Sequence, residues 1–222
     1  MLSLKCLLLT ATTALAIPFP SSDNLPLSKR SAAVGNGSHG GFFYNFWSDG
    51  LGDVNYNNGA DGSYSVRWTN CSNFFGGKGW NPGREDRNIT FDATFSPKGN
   101  GYLSVYGWTK DPLVEYYVVE NWGTYNPALQ FGSAAKTIEV DGGRYTIGLR
   151  RVVQMALGSP VLTQMWSVRH AEDRRVSGTV ALKSHFEAWK GLPGAKFGAL
   201  DWQIVATEGY QSSGEAAVTV YD

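Results

Sequence analysis

The chain has 222 residues, with Lys+Arg 19 and Asp+Glu 19, so its formal charge at pH 7 is zero. Such a balance offers no basic face to a nucleic acid, and no nucleic-acid partner is expected. With 14% aromatic residues, 27 Gly and only 17% charged residues, a disordered chain is excluded and a β-rich globular domain that recognises something neutral is favoured.

Lys5 supplies a short positive region, Cys6 to Leu15 are largely apolar, and Ala14-Leu15-Ala16 forms an A-x-A cleavage signal. Residues 1–16 therefore read as a secretory signal peptide, which makes the protein secreted and extracellular. The apolar run is too short to span a bilayer, and no membrane association is expected. Residues 17–30, rich in Pro and Ser and ending in Lys29-Arg30, read as a pro-peptide removed at a dibasic site; the alternative is a retained loose tail. Losing residues 1–30 removes three basic side chains and Asp23, leaving sixteen basic and eighteen acidic, a charge of −2. It also removes Cys6 and leaves Cys71 alone, so no internal disulfide is expected. The sequons at Asn36, Asn70 and Asn88 are candidate N-glycosylation sites.

From residue 31 to 222 the pattern is that of a single domain of strand after strand. Phe42, Tyr44 and Phe46 share a face, as do Tyr64, Val66 and Trp68. Alternation continues through Ile89–Phe95, Tyr102–Trp108, Leu113–Trp122, Tyr145–Val153, Val161–Val168 and Trp202–Tyr210. Turn clusters such as Pro97-Lys98-Gly99-Asn100-Gly101 and Asp141-Gly142-Gly143 separate them. Only Val180–Lys190 has helical spacing, with Leu182, Phe186 and Trp189 near one stripe. A β-sandwich or barrel with one helix follows. Two mid-strand glutamates are out of place in such a pattern: Glu115 and Tyr117 oppose Tyr116 and Val118, and Glu208 lies on a face with Trp202, Ile204, Ala206 and Tyr210. An acid among aromatics is unfavourable unless that face lines a wet groove. Aromatic faces stack on sugar rings, and two carboxylates can break a glycosidic bond.

The segment Ser104–Pro127, with Val114-Glu-Tyr-Tyr-Val-Val119 at its centre, closely resembles the nucleophile region of the secreted, fungal-type glycoside hydrolase family 11 endo-1,4-β-xylanases. Ala206-Thr-Glu-Gly-Tyr-Gln-Ser-Ser-Gly214 resembles that family's acid/base region. Phe74–Trp80, Trp166–Arg169 and His185–Trp189 match in order, so the resemblance runs from about Gly41 to Tyr221. It implies an all-β fold, a β-jelly-roll sandwich of two curved antiparallel sheets with a single α-helix and a deep substrate cleft. It further implies a monomeric retaining enzyme acting on xylan, with Glu115 as nucleophile and Glu208 as acid/base. Trp47 matches a stacking platform, Asn73 the position beside the acid/base, and Tyr106, Tyr117, Arg151, Gln164 and Tyr210 groove positions. Asn73, being uncharged, implies a mildly acidic to neutral optimum. Tyr125 and Trp122 are assigned to structure, His185 to the core, and Glu120 to solvent or a salt bridge. No cofactor is implied, and no His/Cys/Asp cluster has metal-ligand spacing.

The chain departs from the family pattern around the cleft. Gln154-Met155-Ala156-Leu157-Gly158 replaces the usual thumb tip, and the shortened segment leaves Arg151 and Arg150 open as the groove arginine. Leu162 and Met165 replace aromatics, Trp202 replaces a groove Tyr, and Thr146-Ile147-Gly148 replaces Asp-Ile-Tyr. These changes motivate a second reading, a xylan-binding lectin- or decoy-like protein with weak or no turnover. A third keeps the enzyme and changes the substrate to a mixed-linkage or cellulosic β-glucan.

Overall fold

A computed structural model describes residues 32–154 and 159–222, within one compact unit spanning Ser31–Asp222. The expected signal peptide, the pro-peptide and the thumb tip 155–158 lie outside the described residues. The strands are β1 (Gly35–His39), β2 (Phe42–Ser48), β3 (Asp53–Asn58), β4 (Ser63–Trp80), β5 (Asn88–Lys110), β6 (Val114–Trp122), β7 (Lys136–Val140), β8 (Gly143–Gln154), β9 (Ser159–Arg169), β10 (Ser177–Ala181) and β11 (Ala199–Tyr221). The helix α1 spans Leu182–Lys190 and follows β10 directly. Val180 and Ala181, which shared its spacing in the sequence, instead pair with Ile89 and Asn88 of β5.

Three long strands build both layers of the jelly roll. The first part of β4 pairs with β3 and its second part with β2, while β5 pairs first with β10 and then with β6. Strand β11 runs between β4 and β5 along nearly its whole length. The smaller layer is thus β3-β4-β11-β5-β10, and the larger is β1-β2-β4-β11-β5-β6-β9-β8-β7. The three shared strands bend together. Asn70 in β4 (φ 47°), Gly99 in β5 (φ 112°) and Gln211 in β11 (φ 47°) all have positive φ, and β11 shifts register between Tyr210 and Ser213. A bulge and left-handed residues at neighbouring positions turn a continuous sheet through a corner.

One pairing is not antiparallel. Strand β6 runs parallel to β9, reached through a 3-10 segment over Pro127–Ala134 and the β7–β8 hairpin. A parallel neighbour requires such a long crossover.

Between the layers lies an aromatic core. Phe46 stacks on Tyr56 at 4.9 Å, and Tyr64 Oη shares a 3.0 Å hydrogen bond with Thr207 of the facing layer. Cys71, the only cysteine among the described residues, is buried here. Lys78 is also buried, and its ammonium donates to the carbonyls of Gly59 (2.9 Å) and Asp61 (2.6 Å), tying β4 to the β3–β4 turn. The helix packs on the outer side of the larger layer, with Phe186 edge-on to Tyr116 at 5.1 Å. Trp189, fully buried, donates Nε1–H to the Trp166 carbonyl at 3.0 Å. Trp189→Ala is expected to destabilise the protein by about 3–5 kcal/mol, read as a lower urea midpoint; a loss under about 1 kcal/mol would mean that the helix is not part of the cooperative core.

Candidate active site

Because side chains alternate along a strand, the residues of β6 that oppose Tyr116 and Val118 project onto the concave face of the larger layer. Glu115 is one of them and is only 6% exposed. Its Oε1 accepts hydrogen bonds from Tyr106 Oη (2.6 Å) and Tyr117 Oη (2.7 Å), and its Oε2 from Gln164 Nε2 (2.6 Å). Gln164 reaches it because the parallel β6–β9 register places the two residues side by side. Trp108 Nε1 donates to Tyr106 Oη at 2.9 Å, which fixes that phenol as donor toward the carboxylate. Burial holds the Glu115 carboxyl above its ordinary value, although the three donors oppose that push by favouring the ionised form.

Glu208 has a different environment. It stands on β11 opposite Tyr102 of β5 and Phe75 of β4, partly buried. Among the described residues no hydrogen-bond donor reaches its carboxylate. Burial, and then repulsion from Glu115, push its pKa up to about 8. The negative charge of Glu208 also acts on Tyr102, Tyr106 and Tyr117, whose phenols are all raised chiefly by burial. The curvature of the sheet thus turns two glutamates from non-adjacent strands toward one space.

Aromatic side chains pave that space. Trp47 of β2, 40% exposed, stacks against Phe75 with centroids 6.1 Å apart. Phe75 stacks against Trp202 at 6.2 Å, and Trp202 meets Tyr106 edge-on at 5.3 Å. Tyr117 stacks on Trp166 at 3.9 Å. Asn73 pairs with Tyr210, two cross-strand pairs beyond Glu208 and so the next pair on its face, and Tyr210 is 45% exposed. No hydrogen bond joins the Asn73 side chain to Glu208 among the described residues.

The sequence-predicted residues Trp47, Asn73, Tyr106, Glu115, Tyr117, Gln164, Trp202, Glu208 and Tyr210 therefore share the concave face. Arg151 does not. It pairs with Thr163, and its Nη2 would lie 2.8 Å from a Cβ placed at Gly194. Arg150 pairs with Gln164 and so occupies the face of Glu115, where its Nη1 donates to Gln130 Oε1 at 2.5 Å. A shift of one residue moves a strand side chain to the opposite face, and the shortened thumb had hidden the register. Phe75, Tyr102, Trp108 and Trp166 are further concave-face residues that the sequence reading did not single out. All four alternate with residues that it did place there or in the core. Tyr125, assigned to structure, is 41% exposed and electrostatically coupled to Tyr102. Where Gly148 replaces a usual Tyr, the ring of Phe131 fills the gap, 2.3 Å from where a Cβ would stand.

A Ser–His–Asp array is also present: His185 Nδ1 lies 2.9 Å from Ser167 Oγ, and Nε2 lies 3.1 Å from Asp141 Oδ2. His185 of α1 and Ser167 of β9 are both fully buried, so no carbonyl can reach the hydroxyl, and the array is a satisfied core histidine. Glu120 is likewise buried, bridged to Tyr145 (2.6 Å), Arg169 (3.4 Å) and Arg175.

The family model for glycosyl hydrolases family 11 matches residues 39–219. The chain belongs to that family. Among similar family 11 sequences, endo-1,4-beta-xylanase B of Phanerodontia chrysosporium is 49% identical over 95% of this chain and 72% of its own length. Endo-1,4-beta-xylanase 4 of Pyricularia oryzae is 47% identical over 99% of both. The ethylene-inducing xylanase 1 of Botryotinia fuckeliana is 46% identical over 99% of this chain and 78% of its own length. Within this family 11 glycosyl hydrolase the two concave-face carboxyls stand in different environments, Glu115 among three hydrogen-bond donors and Glu208 beside Phe75 and Tyr102. Among its described residues no helix is long and apolar enough to cross a membrane.

Proposed function

We propose that the protein is a secreted, monomeric endo-1,4-β-xylanase that cuts internal bonds of neutral xylan with retention of configuration. The observation that carries this reading is the contrast between the two glutamates. Glu115 is held by three donors that favour the carboxylate, whereas Glu208 has none among the described residues and is pushed up to about 8. Glu208 would protonate the leaving glycosidic oxygen as Glu115 attacks the anomeric carbon, forming a glycosyl ester and releasing the rest of the chain with a free hydroxyl. That ester removes the charge of Glu115, so the Glu208 carboxyl becomes the stronger acid. Already ionised after the first step, Glu208 then takes a proton from water as the water attacks the ester. Such a double displacement requires the two carboxyls to be about 5–5.5 Å apart.

Trp47, with Phe75 beside it, would carry a xylose ring by stacking. Tyr106, Tyr117 and Gln164 would orient the nucleophile, with Asn73, Arg150, Trp202 and Tyr210 completing the groove. Asn73 adds no charge next to Glu208, which suits a mildly acidic to neutral optimum. Residues 1–16 and 17–30 would be removed on secretion. Asn36, Asn70 and Asn88 are exposed, as glycan acceptors must be. A lectin would have no use for a carboxyl held protonated at neutrality.

The test is the stereochemistry of hydrolysis. Proton NMR of xylohexaose digestion should show the β-anomer first, with the α-anomer appearing only by mutarotation. Release of the α-anomer first, or of no new reducing ends, would sink the reading.

A further inference from the structure

The crossover from β6 to β9 carries a ring onto the concave face. Its 3-10 segment, Pro127–Ala134, starts at Asn126, whose side chain accepts from the Ala128 N–H at 2.9 Å. Gly132, with φ 55° and ψ −141°, breaks the segment directly after Phe131, in a conformation that favours glycine. Phe131 is buried and shares one apolar cluster with Tyr102, Tyr117 and Trp166. Its ring occupies the place a Cβ on Gly148 of β8 would take, with two ring carbons only 2.7 Å from that point. Gly148 pairs with Trp166 across the β8–β9 ladder, so a side chain there would stand beside the Trp166 ring. The backbone of Gly148 is not in the positive-φ region, so this glycine answers a need for space and not for conformation. One residue before Phe131, Gln130 Oε1 accepts from Arg150, the next concave-face residue of β8. The crossover therefore grips β8 at two successive positions of the face that holds Glu115.

Trp166 depends on that ring. Its Nε1 is buried with no hydrogen-bond partner among the described residues, so packing alone fixes the orientation of the indole. Tyr117 covers one face, with centroids 3.9 Å apart and planes 7° from parallel, and Tyr102 meets it edge-on at 6.3 Å. Tyr117 in turn donates to Glu115 Oε1 at 2.7 Å. A close-packed interior passes a displacement from one ring to the next. We propose that Phe131 is a positioning residue of the active site: it supplies from the crossover the ring that β8 lacks at Gly148, holds Trp166 against Tyr117, and through Tyr117 orients Glu115. The inference rests on the xylanase reading for the role of Glu115. It makes the ring itself the requirement, whichever of the two positions carries it.

Kinetics and NMR on the full chain test it. Phe131→Leu keeps most of the side-chain volume and removes the flat surface. It should lower kcat on xylohexaose about 10-fold with KM within about 2-fold, as expected when a reacting group loses its alignment. Tyr117 is one of the donors that favour the ionised Glu115. Loosening it should therefore move the acid limb of kcat/KM up by about 0.5 pH unit, which a loss of stability alone would not do. Gly148→Ala, whose Cβ displaces the ring without removing it, should move the limb in the same direction. The double variant Phe131→Ala/Gly148→Phe returns a ring from the strand. It should bring kcat back to within about 2-fold of wild type and the limb to its original pH. An unmoved acid limb in Phe131→Leu or Gly148→Ala overturns the proposal, and so does a double variant that stays impaired or does not fold. A ¹³C titration of the Glu115 carboxyl in the same variants needs no turnover. A moved titration in a chain that releases no reducing ends from xylan would sink the xylanase reading and leave the positioning role standing. Robust hydrolysis with an unmoved titration would do the reverse.

Discussion

Replacing Glu115 by Gln is expected to lower kcat on xylan by at least about 10⁴-fold while leaving the fold intact, because the nucleophile is lost and nothing on the concave face can replace it. The change is nearly isosteric, so the packing of Tyr106, Tyr117 and Trp166 around the site is preserved. What changes is the hydrogen bonding. Tyr106, Tyr117 and Gln164 all donate to the carboxylate, whereas an amide offers one accepting oxygen and an NH2 group that needs acceptors of its own. Tyr106 cannot simply reverse its role, since Trp108 Nε1 already donates to its oxygen. The variant should therefore bind xylo-oligosaccharides yet fail to form a glycosyl ester. Removing the Glu115 charge should also lower the Glu208 pKa from about 8, which a ¹³C-labelled carboxyl reports directly. Residual activity above about 1% of wild type, or an unchanged Glu208 titration, would place the nucleophile elsewhere.

The local pattern of the sequence carried much of this site, and its gaps have physical causes. Glu115 and Tyr117 were assigned to one face because strand alternation is a two-residue rule that needs no tertiary knowledge. The same rule placed Glu208 with Trp202 and Tyr210, and the structure keeps all of them on the concave face. Phe75 was equally accessible to it, alternating with Asn73, but a Phe within a Gly-rich motif gives no local sign that it faces solvent. Arg150 and Arg151 could not be separated, because register through an altered hairpin depends on the turn that closes it. The parallel β6–β9 pair was invisible for a related reason. Alternation reports which face a side chain takes, not the direction of the neighbouring strand, and here the crossover carries a hairpin of its own. Of the corner formed by Asn70, Gly99 and Gln211, only the Gly99 part shows in the sequence, as a turn between two strands, whereas β5 bends there without a break; Asn and Gln carry no obligation to adopt positive φ.

Glu208 leads to a second large expectation, with opposite consequences for activity and stability. Its folded pKa of about 8 stands well above the value near 4.3 of an unfolded glutamate. Between those two values the native state retains a proton that the unfolded chain has released, so stability falls as pH rises across that window. Below about pH 4 both states are protonated and the penalty vanishes. Glu208→Gln, neutral at every pH and similar in shape, should remove the decline. Its Tm should exceed that of wild type by about 8–16 °C at pH 7.5 and equal it at pH 4. Activity should move the other way. In wild type kcat/KM should fall as Glu208 ionises near pH 8, because an ionised carboxyl cannot protonate the leaving oxygen, and the acid limb should follow Glu115. Glu208→Gln should lose at least about 10²-fold in kcat/KM on xylan, the range attributed to general acid catalysis. It should lose less on aryl xylosides, whose leaving group departs without a proton. Equal Tm values for the two proteins at pH 7.5 would mean that Glu208 is already ionised at neutrality. Water in the open cleft would then outweigh the burial and the repulsion by Glu115 that hold it protonated.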